Sequence, residues 1–155
     1  MGGAAQGSDD AKHRWKSCVG RSRGGLTTKI HALVDADGLP IALKLTEGQA
    51  HDGHSANDML ETVGRGTILL ADRAYDSDER RRDLAERGAW ANIKPLSARR
   101  TKPAFSAYLY RYRNLVERFF NKLKNFRAVA TRYDKRADNF LASIQLASIR
   151  IWLRA

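Results

Sequence analysis

An α/β fold is predicted for this 155-residue chain by three features of its sequence. Residues alternate in character over positions 26–46 on either side of Asp35-Ala36-Asp37-Gly38, the pattern of a β-hairpin around a turn. A short uncharged run at 67–71 ends in Asp72, and a helix-length stretch closed by Gly88 separates it from a second strand-like run at 90–93; strand, helix, strand is an α/β unit. Two further helical patterns fill the last third. With 43% hydrophobic residues the chain is long enough for one domain with its own core.

Residues 1–25 are rich in Gly, Ser and charge and lack sustained periodicity, so they read as a polar tail or loop, with the domain proper at 26–155. In the first strand of the hairpin Thr27, Lys29, His31 and Leu33 share one face, and Thr28, Ile30, Ala32 and Val34 the other. A polar connection over 47–54 leads to a short helix at 55–63, with Ser55 as its N-cap and Asp58 as a weak capping-box partner; Gly64 and Gly66 stop it. The uncharged run 67–71 fits a strand buried on both faces. Ser77 or Asp78 can cap a helix through Glu86. Residues 96–107 are basic and irregular, 108 to about 129 read as one long amphipathic helix, and 139–153 as a largely uncharged helix that must pack against something.

Charge is divided unevenly. Residues 88–155 hold 15 basic and 3 acidic side chains, a net +12, whereas the first 87 residues hold 13 basic and 14 acidic. Such a block attracts polyanions, which makes nucleic acid the first partner to consider and an acidic membrane surface the weaker one. A dense basic segment, Lys122, Lys124, Arg127, Arg132, Lys135 and Arg136, is interleaved with Phe126 and Tyr133 and could follow a phosphate backbone, or else be a solvated helix face. A basic RNA-binding or ribosome-associated protein is also compatible with this charge. There is neither a membrane-length apolar run nor a signal-peptide pattern, so the expected location is the cytoplasm, in association with the nucleoid. The single cysteine, Cys18, excludes an internal disulfide and a thiolate zinc site and reads as an incidental thiol.

Candidate chemistry centres on two carboxylates. At about 100° per residue, Tyr110, Arg113, Glu117 and Lys124 fall on one face of a helix, while Leu115, Val116, Phe119, Leu123 and Phe126 gather on another. Asp72 at a strand end and Glu117 on that helix could converge on a divalent metal, since magnesium prefers one or two hard carboxylate ligands with water and phosphate. The structural alternatives are an N-cap or an Arg73 salt bridge for Asp72, and an i,i+4 pair with Arg113 for Glu117 that contributes about 0.3–0.5 kcal/mol. Spacing by itself favours these alternatives. His51 and His54, beside Asp52 and Asp58, form a weak metal pattern and read as loop residues bonded to backbone; His31 reads as a packed strand residue.

The segment Leu70-Ala71-Asp72-Arg73-Ala74-Tyr75-Asp76-Ser77 resembles the surroundings of the second catalytic aspartate in insertion-sequence DDE transposases, and Tyr110, Arg113, Glu117 and Lys124 match their Y-R-E-K signature. The stretch from Gly20 to His31 and the Gly48-Gln49-Ala50-His51-Asp52 segment also look like parts of that family, so the resemblance runs from about Gly20 to the C-terminus. It implies a ribonuclease H-like core, a mixed sheet flanked by helices. Asp72 and Glu117 would then be catalytic and ligate Mg2+ or Mn2+ for cutting transposon ends and joining them to target DNA. Tyr110, Arg113 and Lys124 would support them by touching phosphate or steadying Glu117, and an oligomer on DNA is implied.

The resemblance also implies a first catalytic aspartate on a strand upstream of Gly20. Asp9 and Asp10 are poor substitutes, lying in a polar Gly-rich stretch. The expectation is therefore the C-terminal portion of a transposase, lacking its first strand, from a second reading frame, a mis-called start or a decayed element, and acting with its upstream half. A non-catalytic DNA-binding fragment is the alternative.

Overall fold

The computed structural model describes residues 20–22, 25–48, 57–132, 134 and 136–155, with side chains from Thr27 onward. Cys18, Asp9, Asp10, His51, Asp52, His54, the Ser55 cap, Tyr133 and Lys135 lie outside them.

Chain order begins with a three-stranded antiparallel sheet, β1 (Gly20–Ser22), β2 (Gly25–Val34) and β3 (Pro40–Glu47). Its first strand lies within the stretch read as tail, since Arg21 pairs with Leu26 in antiparallel register. The expected hairpin forms with Ile30 opposite Leu45 and Ala32 opposite Leu43. Asp35 builds its turn by accepting from the amides of Asp37 (2.9 Å) and Leu39 (2.8 Å), an Asx geometry that replaces ladder bonds. Gly38 has φ +79°, a left-handed conformation that disfavours other residues, and a Cβ there would lie 3.5 Å from Leu115 Cδ2.

A 3-10 turn, Asp58–Thr62, stands where a helix was expected, and buries Met59 and Leu60. Next comes β4 (Ile68–Ala71), then a 3-10 turn Arg73–Tyr75, helix α1 (Asp78–Glu86) and β5 (Trp90–Ile93), parallel to β4. Ser77 caps α1 by accepting from the Arg80 amide, and Gly88 (φ +73°) closes it, both as the sequence reads.

Two expectations need correction here. β2 and β4 do not pair, so among the described residues there are two sheets, one antiparallel and one parallel, rather than a single mixed sheet. β4 is not buried on both faces: Leu69 enters the core while Ile68 is 45% exposed, because a two-stranded sheet leaves part of its second face uncovered.

The helical half is more broken than its periodicity suggests. In place of one helix from 108 to 129 there are α2 (Ala107–Tyr110), a 3-10 turn Arg111–Arg113, α3 (Asn114–Lys124) and α4 (Arg127–Thr131). The tightened turn lies where Tyr110 and Arg113 reach across to Asp72, and the second break is at Phe126, whose backbone is extended and whose ring packs against the core. Helix α5 (Ala137–Trp152) matches the last expected helix closely.

Two cores result. One joins Leu39 and Leu45 of the hairpin to Phe119, Leu123, Val129, Phe140, Ile144 and Ile151. The other is built within the α/β unit from Leu60, Val63, Leu69, Leu84, Ala91 and Ile93. β2 serves both, since alternation sends Ile30, Ala32 and Val34 to the first and Leu33 to the second. His31 is buried at this seam, its Nε2 2.7 Å from Thr46 Oγ1 and its Nδ1 3.1 Å from Tyr75 Oη, the packed role its place on a strand suggests.

Candidate active site

Asp72 immediately follows the last residue of β4, and it precedes a 3-10 turn without capping it through its side chain. The carboxylate is turned instead toward the α2–α3 segment, where Oδ1 accepts from Tyr110 Oη at 2.9 Å and Oδ2 from Arg113 Nη1 at 3.2 Å. Glu117, in the first turn of α3, accepts from Arg113 Nη2 at 2.6 Å. The i,i+4 pair foreseen for Glu117 is therefore present, but the same guanidinium also reaches a residue 41 positions away. Asp72 and Glu117, from a strand end and a helix, meet at one side chain.

What holds the α2–α3 segment against the strand ends is a buried amide. Asn92 on β5 is fully buried; its Nδ2 donates to Ser106 O at 3.1 Å and its Oδ1 accepts from Ser106 N at 2.7 Å. Ser106 is also the N-cap of α2, accepting from the Leu109 amide. Phe105 meets the Tyr110 ring edge-on at 5.3 Å between centroids. The start of the helical segment is thus pinned one turn before Tyr110.

A second cluster fixes the other side. The Asp76 carboxylate has no exposure and accepts from Arg81 Nε (2.9 Å), Arg99 Nε (2.6 Å) and the Leu96 amide (2.9 Å). Arg81 also donates to the carbonyls of Ala91 and Ile93, so β5, α1 and the segment following β5 are tied to the turn that follows Asp72. The sequence reading missed this cluster, because Arg99 is 23 residues from Asp76.

Tyr110 and Arg113 are tuned in ways that suit the contact. Burial and the bond to Asp72 raise the Tyr110 pKa, which keeps its hydroxyl a neutral donor. Burial works against the charge of Arg113, but the Glu117 bond and the nearby Asp72 outweigh it and raise its pKa.

Lys94 is another cation that sequence reading missed, with its Nζ 6.0 Å from the Tyr110 ring centroid. The parallel register could have found it: Ala71 pairs with Ile93, so Asp72 and Lys94 leave their strands as neighbours. Lys124 is exposed at the far end of α3, about 10 Å of helix rise beyond Glu117, and is outside the network.

The basic candidates divide. Lys122, Lys124 and Arg127 are exposed. Arg136 is exposed and forms an ion pair with Asp138 at 2.5 Å. Arg132 turns inward, donating to Thr28 Oγ1 at 2.6 Å with its guanidinium 4.9 Å from the Phe140 ring centroid, so it ties α4 to β2. Among the described residues no three His, Cys, Asp or Glu side chains form a group that could hold a metal, and no helix is long and apolar enough to cross a membrane.

Comparison with known families places the chain as a whole: residues 4–152 match the transposase DDE domain. The chain belongs to that family. It is 40% identical over 130 residues to the protein named as the transposase of insertion sequence element IS6501 from Brucella ovis, covering 83% of this chain and all of that relative. To the counterpart named for element IS402 of Burkholderia cepacia it is 32% identical over 137 residues, covering 81% of this chain and 62% of the relative. The transposase for element IS1106 of Neisseria meningitidis serogroup B is 32% identical over 141 residues, of which this chain spans 48% of the length. No solved structure matches. The insertion-sequence transposase resemblance read from the sequence is therefore correct at the level of family, and an α/β transposase DDE domain with small sheets and flanking helices is what the chain forms.

Proposed function

We propose that this chain is the C-terminal portion of a DNA transposase that cuts transposon ends and joins them to target DNA by metal-dependent phosphoryl transfer. The observation that supports this most directly is the meeting of Asp72 and Glu117, from separate elements, at Arg113. Both carboxylates are open to solvent, at 50% and 57% side-chain exposure, and two hard oxygen donors with water and phosphate are a set magnesium accepts. Asp72 and Glu117 are therefore the residues that would hold Mg2+ or Mn2+. When bound, such ions activate an attacking oxygen and stabilise the leaving one.

The protein's own groups supply orientation and charge. Tyr110 steadies Asp72 by donating to Oδ1, beside the Oδ2 that accepts from Arg113. Lys94 and Arg113 supply positive charge beside the carboxylates, suited to a phosphate, and Lys122, Lys124 and Arg127 extend it along α3 and α4. A third carboxylate, which the resemblance assigns to a strand before Gly20, would complete the triad, and a ribonuclease H-like core would set that strand between the two sheets.

A strand-cleavage assay on labelled transposon-end DNA with magnesium tests this, using the chain alone, the chain joined to its upstream reading frame, and Asp72→Asn and Glu117→Gln forms of each. Cleavage is expected from the joined form, with a loss of at least about a hundredfold in either substituted form. Retained cleavage in Glu117→Gln would reject the assignment. A non-catalytic DNA-binding role is the second reading, favoured by the pair rather than triad of acidic side chains among the described residues; DNA binding without cleavage in every form would support it.

A further inference from the structure

Among the described residues, Arg113 is the one side chain bonded to both carboxylates of the candidate site, through Nη1 to Asp72 (3.2 Å) and Nη2 to Glu117 (2.6 Å). A planar fork of this kind fixes the two acids relative to each other and screens their repulsion. It also occupies the space between them with positive charge. A divalent cation held by the same two carboxylates would lie within a few Å of the guanidinium, where like charges repel and donor and cation compete for the same oxygens. Arg113 retains 23% side-chain exposure and its contacts with Tyr110 are made through the ring face at 5.6 Å, so its head can swing outward without opening the core.

We propose that Arg113 is a resident counter-ion that takes the cation's place between Asp72 and Glu117, and that its release couples cation entry to phosphate capture. The proposal deepens the reading of Asp72 and Glu117 as metal ligands and rests on it. Once displaced, the guanidinium is a free bidentate donor at the edge of the site, matched to a DNA phosphate. Conversely, a phosphate that draws Arg113 away leaves both carboxylates open to the cation. Linkage makes this reciprocal: each ligand must tighten the other by the same factor. Arg113 thereby positions two other groups in turn, first the carboxylates and then the phosphate.

The test is Mn2+ binding to the full chain, followed by electron paramagnetic resonance, with and without a saturating short duplex oligonucleotide. Four forms are compared: unaltered, Arg113→Gln, Arg113→Lys and Asp72→Asn. In the unaltered chain the duplex is expected to tighten Mn2+ binding roughly 5- to 150-fold. Arg113→Gln, freed of its competitor, should bind Mn2+ roughly 2- to 30-fold more tightly without DNA and lose most of the coupling. Arg113→Lys keeps a charge and suits the helix but cannot fork to both acids, so it should change in the same direction and decides the matter if the Gln form is unfolded by circular dichroism. Unchanged or weaker Mn2+ binding in both Arg113 variants, with binding lost in Asp72→Asn, would overturn the competition while leaving the ligand assignment standing. Mn2+ binding that survives Asp72→Asn would remove the ligand assignment and this inference together.

Discussion

Asp76 is held by more donors than either carboxylate of the candidate site, and its bonds to Arg81, Arg99 and the Leu96 amide have a measurable consequence. Burial acts to raise its pKa, but the bonds from Arg99, the Leu96 amide and Arg81 outweigh burial and hold it below the ordinary carboxylate value. A depressed folded pKa stabilises the protein above the unfolded value of about 3.9, and that contribution is lost as pH falls through the folded value. Asp76→Asn should therefore cost about 3 kcal/mol at neutral pH by leaving Arg81 and Arg99 without their anion. Urea unfolding at a series of pH values should show the gap between the two proteins closing below about pH 4. The sequence gives little hint of this role, since Asp76, Asp78 and Arg99 look like ordinary surface charges until residues 94–99 fold back over the turn.

Among the elements, those whose signals are local are readable in the sequence. Ser77 and Gly88 delimit α1, Asp35 and Gly38 define the hairpin turn, and the apolar runs around Leu69 and Ile93 are strands. Features that depend on distant partners are not. The 3-10 turn at 111–113 breaks a perfectly good helical pattern because Tyr110 and Arg113 bond to Asp72, about 40 residues earlier, and the separation of the two sheets depends on pairing that no local pattern encodes. Asp72 and Glu117 are singled out as candidates only by their likeness to a known signature; spacing alone favours a cap or an Arg73 salt bridge for Asp72 and an i,i+4 pair for Glu117. Asn92 is a further element-level control, because its two bonds to Ser106 set where α2 starts. Asn92→Ala should lose about 2–3 kcal/mol from two buried bonds. It should also lower DNA cleavage in the joined protein by more than its stability loss accounts for at a temperature where it remains folded. Thermal unfolding and cleavage measured side by side would separate the two effects.

Taken as a whole, the molecule is cationic on one half of its chain, and Lys122, Lys124 and Arg127 are exposed members of that set on α3 and α4, with Lys94, Arg111, Arg136 and Arg150 exposed on other elements. Each backbone phosphate contact adds about 0.9 to the salt slope of binding to duplex DNA. Replacing Lys122 and Lys124 together by Ala should lower the slope by about 2, with a similar loss on unrelated duplexes. Arg132→Ala should leave the slope unchanged and lower stability instead, because its guanidinium is engaged by Thr28 and Phe140. Filter binding across a range of salt concentrations, with an unfolding curve for each variant, distinguishes backbone contact from packing.

The two cores also differ in when they can form. Residues 60–93 contain the buried members of the α/β core, so that unit can close soon after its last strand has been synthesised. The hairpin core cannot, since Leu39 and Leu45 wait for Phe119, Phe140, Ile144 and Ile151, and Trp152, 112 residues after Pro40, donates to its carbonyl oxygen at 3.0 Å. At ribosomal elongation rates of about 5–20 residues per second, the apolar face of the hairpin stays open for several seconds. During that time it is a natural substrate for chaperones, and a chain cut short before Ile151 would leave its first core unsealed.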